Sequence, residues 1–310
     1  MSKLPDSAQN RASDAVRLLA RSLEQSAMLA WARRGEPRSV VATAAATRHA
    51  SEDALHDGVR PLRFLSFNIQ VGISTARYRH YFTRGWKHVL PHQGRTVNLQ
   101  RIAEVVQGYD VVALQEIDSG SLRSSYVNQV QYIAERARFP YWYTQLNRDL
   151  GPLAQHGNGL LSRVSPMEMQ DHKLPGAIPG RGAIVARLPY GDTSVLVVLL
   201  HLSLGERSRH MQLEYVKRLI DGEPNVLIMG DMNSHLSKLL FNSPLAETDL
   251  RPVGQVLPTY PAWRPLLALD HVLVSPTLVM RDYEVLDCRL SDHRPIAVTL
   301  EMTPRQAAVA

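Results

Sequence analysis

The sequence predicts an α/β protein, because short apolar runs alternate along the chain with segments of helical periodicity. The runs are rich in Val, Leu and Ile on consecutive positions, which is typical of strands buried on both faces. Six such runs are predicted to be strands: 62–67, 111–114, 195–200, 226–229, 271–274 and 296–300.

Helices are predicted between several of these strands, where apolar residues recur at spacings of three or four. The three helical faces consist of Leu99, Ile102 and Val106; of Tyr126, Val130, Ala134 and Ala137; and of Met211, Tyr215 and Leu219. Neither an internal repeat nor a low-complexity tract is present, which argues against a solenoid or a disordered scaffold.

The N-terminal region is predicted to be an extension, 1–60, before a domain at 61–302 and a tail at 303–310. Residues 8–33 have the pattern of an amphipathic helix, and we favour packing on the domain or a partner over a membrane-surface anchor. Residues 34–60 are polar and alanine-rich with Gly and Pro, which indicates a linker.

Composition limits the class of protein. The 310 residues carry a formal net charge of +6 and an isoelectric point near 9.5, which favours anionic partners such as nucleic acid or an acidic membrane. Cys288 is the single cysteine, so an intramolecular disulfide and a cysteine-rich metal site are excluded. The first 35 residues fit neither a secretory signal nor a membrane span. We expect a cytoplasmic protein, with peripheral contact at the inner membrane surface as an option.

Polar residues stand at the ends of the first two predicted strands. Asn68 follows the run 62–67, and Glu116 closes the run that begins at Val111. Amide and carboxylate oxygens are the hard ligands that Mg²⁺ or Mn²⁺ prefers. A turn-forming asparagine and a solvated glutamate are the alternatives.

Asp231 and Asn233 follow the strand 226–229 after Gly230. In extended geometry, residues i and i+2 point to one side, where one could fix a water and the other a phosphate oxygen. An Asx turn leaving the strand is an equal alternative. Gly230 favours the functional interpretation, because a residue without Cβ allows a ligand close to the backbone.

Asp292 and His293 stand directly before the last strand, 296–300. An imidazole suits a general base near neutral pH, and it needs a carboxylate that orients it. Asp270 is the candidate partner, whereas His271 is interpreted as an ordinary strand residue. A surface turn capped by Asp292 is the alternative.

Asn158 and His201 are candidates for donors to phosphate oxygens, since each lies at an end of an apolar run. His156 and His210 are interpreted as structural.

Taken in order, these residues resemble the endonuclease/exonuclease/phosphatase superfamily, which includes deoxyribonuclease I, AP endonucleases, neutral sphingomyelinases and inositol polyphosphate 5-phosphatases. The motif residues are Asn68, Glu116, Asn158, His201, Asp231, Asn233, Asp270, Asp292 and His293. The resemblance spans about residues 61 to 302 and implies a four-layered α/β sandwich, two packed mixed sheets flanked by helices. It also implies in-line attack of water on a phosphoester, assisted by Mg²⁺ or Mn²⁺.

The resemblance further implies a role for each residue. Asn68, Glu116 and Asp292 would lie at the metal. Asp231 would align or deprotonate water, Asn233 would position phosphate, and His201 would contact the scissile phosphate. His293 would be the base oriented by Asp270. Gln70 stands where AP endonucleases have an acid, so cleavage at AP sites is not expected. The string 259–261 is similar to small bacterial members associated with lipid metabolism.

The segment after Asn68 mixes bases with aromatic residues and has no acid before Ala103. Its candidate substrate contacts are Arg77, Arg79, Tyr81 and Trp86. Such a mixture suits stacking and phosphate contacts on nucleic acid, and equally a lipid–water interface. A solvated loop is the third interpretation.

The sequence therefore supports three hypotheses. The first is a metal-dependent phosphodiesterase acting on a phospholipid or related headgroup, and the second is a Mg²⁺-dependent endo- or exonuclease on DNA or RNA. The third is a non-catalytic phosphate-binding protein. The sequence leaves the oligomeric state open.

Overall fold

The computed structural model describes residues 38–39, 60–72 and 93–302. Within this part the strands are β1 (Arg38–Ser39), β2 (Leu62–Asn68), β3 (Val111–Asp118), β4 (Tyr141–Asp149), β5 (Gln155–Ser162), β6 (Glu168–Lys173), β7 (Gly182–Tyr190), β8 (Thr193–His201), β9 (Val226–Asp231), β10 (Arg251–Pro252), β11 (Asp270–Val274), β12 (Leu278–Val285) and β13 (Ile296–Met302). The α-helices are α1 (Gln93–Val106), α2 (Gln129–Ala137), α3 (Glu206–Leu219) and α4 (Leu236–Phe241). None of these helices is long and apolar enough to cross a membrane.

The strands form two mixed sheets. Sheet one has the order β1-β6-β7-β8-β9-β11-β10, and sheet two has the order β12-β13-β2-β3-β5-β4. Neighbouring strands are antiparallel except for the pairs β8/β9 and β2/β3, which are parallel. Each parallel pair has further strands on both sides, and the C-terminal ends of its two strands lie at the same edge of their sheet.

Three apolar clusters hold the layers together. The inner cluster joins the facing sides of the two sheets and includes Phe64 of sheet two and Leu199 of sheet one. A second cluster packs α1 and α2 on the outer face of sheet two, and a third packs α3 and α4 on the outer face of sheet one. Because β8 is covered on both faces, its sequence is a continuous apolar run from Val195 to Leu200, whereas in β2 the apolar residues are interrupted by the exposed Arg63 and by Ser66. The four-layered α/β sandwich is thus confirmed.

All six strands expected from the apolar runs are present as β2, β3, β8, β9, β11 and β13. The strands without such a run were not predicted, because exposed polar residues interrupt them: β4, β6 and β12. β5 and β7 were also missed.

Two predicted helical faces are corrected. Tyr126 lies before α2 with a left-handed φ of 62° and is exposed, because Asn128 caps the helix two residues later. In α3 the buried apolar residues are Leu213 and Val216. The expected face, Met211, Tyr215 and Leu219, lies one or two positions away and is only partly buried.

The N-terminal predictions are mostly outside the described residues. The amphipathic helix at 8–33 falls there, as does the tail at 303–310. Within the expected linker, however, Arg38–Ser39 pairs antiparallel with β6 and adds an edge strand to sheet one. The open edge of β6 offers backbone groups for this pairing, and the division of residues 1–60 into a helix and a linker stays a prediction.

Candidate active site

The predicted site residues come from both sheets and meet at one edge of the sandwich. Asn68 ends β2 in sheet two, and its Nδ2 donates to Oδ2 of Asp231, which ends β9 in sheet one, over 3.1 Å. His201 ends β8, and its Nε2 lies 3.5 Å from Oδ2 of Asp231 and 3.8 Å from Oε1 of Glu116. The side chains that the sequence order predicted are therefore neighbours.

Glu116 reaches this edge through an irregularity in β3. The pairing of β3 with β5 shifts between Leu114 and Ile117, and Glu116 has a left-handed φ of 54°. A bulge of this kind re-aims a side chain that regular pleating would direct elsewhere. The Glu116 side chain is 36% exposed and faces the cleft.

Gly230 sets the close approach of β8 and β9 beside the site. It has a φ of 145°, and a Cβ built there would lie 2.0 Å from the carbonyl oxygen of Leu200. No other residue type fits this position without moving the strands. The space left by the missing Cβ of Gly230 is therefore taken by the backbone of the neighbouring strand β8, and not by a ligand as the sequence suggested.

Asn233 differs from the expectation. Its φ is 47°, and its backbone N–H donates to Oδ1 of Asp231 over 3.0 Å, which is an Asx turn. The extended geometry is therefore wrong, because the chain turns directly after β9. The Asn233 Nδ2 donates to the carbonyl oxygen of Leu202, which keeps the side chain beside His201.

His293 and Asp270 form a buried pair. His293 Nδ1 lies 2.7 Å from Asp270 Oδ2, and both side chains are almost fully buried. Asp270 stands opposite Asp231 in the antiparallel register of β11 and β9, and the second ring nitrogen of His293, Nε2, lies 3.8 Å from Asp231 Oδ2. With Nδ1 engaged, Nε2 is the nitrogen that faces Asp231.

Two residues of the string 259–261 support this pair. Thr259 Oγ1 donates to the same Asp270 oxygen over 2.6 Å, and the ring of Tyr260 packs on His293 with centroids 4.9 Å apart. His271 is the strand residue that was expected, since its Nε2 bonds the carbonyl oxygen of Ser234.

Burial and mutual charge perturb the ionisable groups. Burial raises the pKa of Asp231 to about 7, with Asp270 and Glu116 adding to the rise and His293 opposing it. Burial likewise raises the pKa of Asp292 to about 6, and the Glu116 carboxylate adds to this. For His293, burial lowers the pKa, but the carboxylates of Asp270, Asp231 and Asp292 together raise it well above its ordinary value. A compact cluster of acids thus surrounds one imidazole.

Arg181 is a site residue that the sequence did not reveal. Its Nη1 lies 2.8 and 2.7 Å from the two ring nitrogens of His201, and its charge is close to Glu116 and Asp231. Burial first, and then Arg181, lower the pKa of His201 well below its ordinary value, so the ring is neutral. Arg181 precedes β7, which was not predicted; the string Gly180-Arg181-Gly182 before an apolar run was the available signal.

Asn158 lies at the site with its amide donors already engaged. Its Nδ2 donates to Gln145 Oε1 and to the carbonyl oxygen of Gly182 over 3.0 and 3.1 Å, which uses both N–H groups. Donation to phosphate would require one of these bonds to break. The other four substrate contacts, Arg77, Arg79, Tyr81 and Trp86, lie outside the described residues.

A cleft of about 490 Å³ opens from the site between three loops. Its catalytic end is formed by Glu116, Asn158, Arg181 and His201, and its outer part by Asn147, Arg148, His156, Ile178, Ser203 and Leu204. A cleft of this size accommodates a small organic group beside a phosphate. His156, interpreted as structural, lines it; His210 is exposed on α3.

Two groups of ligand atoms suit a divalent cation. Atoms of Asp231, Asp270 and His293 all lie within 4.8 Å of one another, so this buried group could hold an ion. Asp292 suits a cation for a different reason: burial first, and then the charge of Glu116, raise its pKa to about 6, and a divalent cation beside these carboxylates would offset that cost.

The sequence profile described as Endonuclease/Exonuclease/phosphatase family matches residues 65–293. The chain belongs to this family. Members hydrolyse phosphoester bonds and commonly use divalent metals. A search of the curated proteins finds no match.

Solved structures show the same fold at low sequence identity. An endonuclease/exonuclease/phosphatase from Beutenbergia cavernae is 21% identical with a TM-score of 0.61, and the match covers 78% of this chain and 72% of that one. A mannosyl-6-phosphatase from Bacteroides thetaiotaomicron is 18% identical with a TM-score of 0.57, covering 78% and 100%. The human Nocturnin catalytic domain is 17% identical with a TM-score of 0.57, covering 79% and 94%.

Proposed function

We propose that this protein is a divalent-metal-dependent phosphodiesterase in which His293 takes a proton from the attacking water. The arrangement that carries the proposal is the buried His293–Asp270 pair, whose free nitrogen, Nε2, is 3.8 Å from Asp231. A water between Nε2 and Asp231 would be held by both groups, with its oxygen directed into the cleft.

The proton then has a defined path. The carboxylates around His293 favour its protonated form, and a bound divalent cation would offset their charge and leave Nε2 free to accept. As the water oxygen bonds to phosphorus, its proton moves to Nε2 of His293, and the Asp270 carboxylate stabilises the resulting imidazolium through Nδ1. Asp231 keeps the attacking oxygen in line. The departing alkoxide leaves from the opposite side of phosphorus.

Charge on the phosphate is met by donors at the catalytic end of the cleft. Arg181 is a buried cation there, and the neutral His201 has one N–H to donate. Such fixed donors stabilise charge that develops on the non-bridging oxygens. Asn233 lies beside His201 and would position the same group.

Asn68, Glu116 and Asp292 are the residues that would hold the cation. When bound, Mg²⁺ or Mn²⁺ would screen the phosphate and stabilise the leaving oxygen. The oxygen-only donor set of these three residues favours Mg²⁺ or Mn²⁺ over softer metals.

A phospholipid or related headgroup is the substrate class that we favour. Ile178 and Leu204 border the cleft and are 70% and 76% exposed, which places aliphatic surface beside the phosphate-binding end. The second candidate is a nuclease, favoured by the net charge of +6 and by the arginines of the cleft.

The test is a panel of phospholipid vesicles, plasmid and single-stranded DNA, RNA, soluble phosphodiesters and phosphomonoesters, assayed with Mg²⁺ or Mn²⁺ and with chelator. We expect hydrolysis of the lipid diester that chelator abolishes. Cleavage of nucleic acid alone would establish the nuclease instead, and tight binding without turnover would establish a phosphate-binding protein.

The matched variants test the chemistry. His293→Ala and Asp231→Ala should each lower kcat by roughly a hundredfold or more, because each removes a group that acts in the transition state. His210→Ala, an exposed histidine on α3, is the control and should leave kcat unchanged. Near wild-type turnover in either site variant would refute the assigned roles.

A further inference from the structure

Four exposed aliphatic side chains stand on three loops around the mouth of the cleft. Leu150 and Leu153 lie in the turn between β4 and β5, Ile178 in the loop between β6 and β7, and Leu204 in the loop between β8 and α3. Their exposures are 44%, 56%, 70% and 76%, respectively. We call these four residues the apolar rim. Single exposed leucines are ordinary, but a group of them at the mouth of one cleft marks an interaction surface.

The three loops adjoin one another. A Cβ built at Gly180 would lie 3.1 Å from Cβ of Arg148, so the loop with Ile178 packs against the strand end that leads to Leu150. A Cβ built at Gly176 would lie 3.5 Å from Cβ of Ser208, so the same loop also packs against the start of α3, next to Leu204. Ile178 therefore connects the other members of the rim.

The loop that carries Leu204 is held in place. Arg209 Nη1 donates to the carbonyl oxygen of Ser203 over 3.1 Å and also to that of Leu204. The backbone N–H of Ser203 donates to Gln212 Oε1 over 2.9 Å. Leu204 is thus presented outward on a fixed backbone rather than folded onto α3.

The surroundings of the rim carry more positive than negative charge. Arg148, Lys173, Arg207 and Arg209 lie on the same loops or the residues next to them, whereas Arg181 is buried inside the cleft near Glu116 and Asp231. Two acids lie on these loops: Asp149, whose Oδ1 accepts from the backbone of Gly151, and Glu206, which is 3.6 Å from Lys238. Aliphatic side chains beside cations match the two components of an anionic lipid surface, the acyl boundary and the headgroups.

We propose that the apolar rim docks the protein on an anionic lipid surface and thereby holds the mouth of the cleft against the headgroups. This inference rests on the proposed lipid phosphodiesterase function. A protein partner fits less well, because leucine is under-represented among the residues that carry protein–protein binding energy, and three of the four rim residues are leucines.

The test uses full-length protein and cosedimentation with vesicles of phosphatidylcholine and phosphatidylglycerol. The double variant Leu150→Ser/Leu153→Ser should lower the vesicle affinity about tenfold or more, since two leucines lose their apolar surface. These two residues do not line the cleft, so turnover of a soluble phosphodiester should remain that of the wild type. Raising the salt concentration should weaken the binding of both proteins.

Met167→Ser is the matched control. Met167 is 66% exposed, and its backbone N–H bonds the carbonyl oxygen of Arg187. Arg187 lies five residues along β7 from the catalytic end at Gly182, which is roughly 17 Å in a strand. This variant should bind vesicles like the wild type.

The outcomes separate the two proposals. His293→Ala should bind vesicles like the wild type, because His293 is not part of the apolar rim. If the protein binds vesicles but neither the wild type nor any variant hydrolyses lipid, the proposed function is wrong and the docking proposal is supported. If Leu150→Ser/Leu153→Ser binds vesicles with the affinity of the wild type, the proposal that the apolar rim docks on lipid is wrong. Loss of self-association in that variant, measured by sedimentation without lipid, would likewise overturn it by showing that a second copy covers the surface.

Discussion

Asp270 accepts two hydrogen bonds on one oxygen, from Nδ1 of His293 at 2.7 Å and from Oγ1 of Thr259 at 2.6 Å. Thr259 is fully buried, so its hydroxyl has no competing water. The hydroxyl fixes the carboxylate in the plane that His293 requires, and it stabilises the ionised carboxylate as a charge-assisted donor. Thr259 is a positioning residue, since it acts on the reaction through Asp270.

We therefore predict that Thr259→Val lowers kcat roughly tenfold and leaves KM nearly unchanged, because a lost hydrogen bond to a charged group costs on the order of 1.5 kcal/mol. Thr259→Ser retains the hydroxyl and should recover most of kcat. Steady-state kinetics on the substrate identified above measures both. Loss of kcat in the serine variant with near wild-type kcat in the valine variant would show that the methyl group, and hence packing, matters instead.

A second residue-level feature is a charged network below the cleft. Asp118 is buried and accepts from Ser121, Ser124 and Arg123; burial opposes its ionisation, but these hydrogen bonds lower its pKa to about 2. Arg123 Nη1 lies 3.0 Å from Nε2 of His156. Burial, followed by the charge of Arg123, lowers the pKa of His156 to about 4, so this imidazole is neutral and accepts from the guanidinium.

This network predicts a pH dependence of stability. The unfolded chain binds a proton at His156 with a pKa of about 6.5, whereas the folded chain does so only near pH 4. The contribution of His156 to the free energy of unfolding is therefore at its maximum above pH 6.5, and it falls as the pH drops from about 6.5 to about 4. His156→Gln, which keeps an acceptor but cannot titrate, should lose less stability between pH 7 and pH 5, by on the order of 1 kcal/mol after allowance for solvent screening.

Urea unfolding at the two pH values measures this difference. His210→Gln, on the exposed side of α3, should retain the wild-type pH dependence. A His156→Gln variant as sensitive to acid as the wild type would mean that Arg123 does not suppress protonation of the imidazole.

At the scale of elements, irregular backbone at the strand ends places the site. Glu116 has its left-handed φ within the β3 irregularity, Asn233 turns the chain after β9, and Gly230 lets β8 approach β9. Left-handed conformations are unfavourable for residues other than glycine, so the surrounding sheets must hold Glu116 and Asn233 in place.

Gly230→Ala should accordingly destabilise the fold by about 2 kcal/mol or more, because the added methyl group meets the Leu200 carbonyl and the φ of 145° is strained for alanine. Gly108→Ala is the control: Gly108 is exposed, and its Cβ position is 3.8 Å from the nearest side chain atom. Chemical denaturation gives both values. Equal stability of the two variants would show that β8 and β9 separate without cost.

At the scale of the whole molecule, the site exists only where the two sheets meet. Sheet two contributes Asn68 and Glu116, and sheet one contributes His201, Asp231 and Asp270. The inner apolar cluster fixes one sheet against the other, so the packing of the sandwich sets the distance between Asn68 and Asp231. Under the proposed assignment, a cation held by Asn68, Glu116 and Asp292 would bind only where β2, β3 and the segment before β13 are folded together, so cation binding and folding would be one linked equilibrium.

This linkage predicts that saturating Mg²⁺ raises the Tm of the wild type by on the order of 5 °C, because the ion binds only the native state. Glu116→Gln removes a charged ligand and should abolish most of this shift. Glu135→Gln, on the exposed face of α2, should keep it. Thermal unfolding monitored with and without chelator measures the effect. An unchanged shift in Glu116→Gln would exclude Glu116 as a ligand.

The sequence alone determined the apolar strands and the order of the polar residues that follow them. A strand covered on both faces is apolar over most of its length, as β8 is from Val195 to Leu200, so such a strand can be predicted without coordinates. The half-exposed strands β4 and β12 carry no such signal. Only the tertiary structure decided that Asp270 lies opposite Asp231 in two paired strands and that the guanidinium of Arg181 contacts the ring of His201. It also decided that the side-chain N–H groups of Asn158 donate to other groups of the protein. These facts depend on register and on the packing of one sheet against the other, which bring together residues far apart in the chain and leave no periodicity in the sequence.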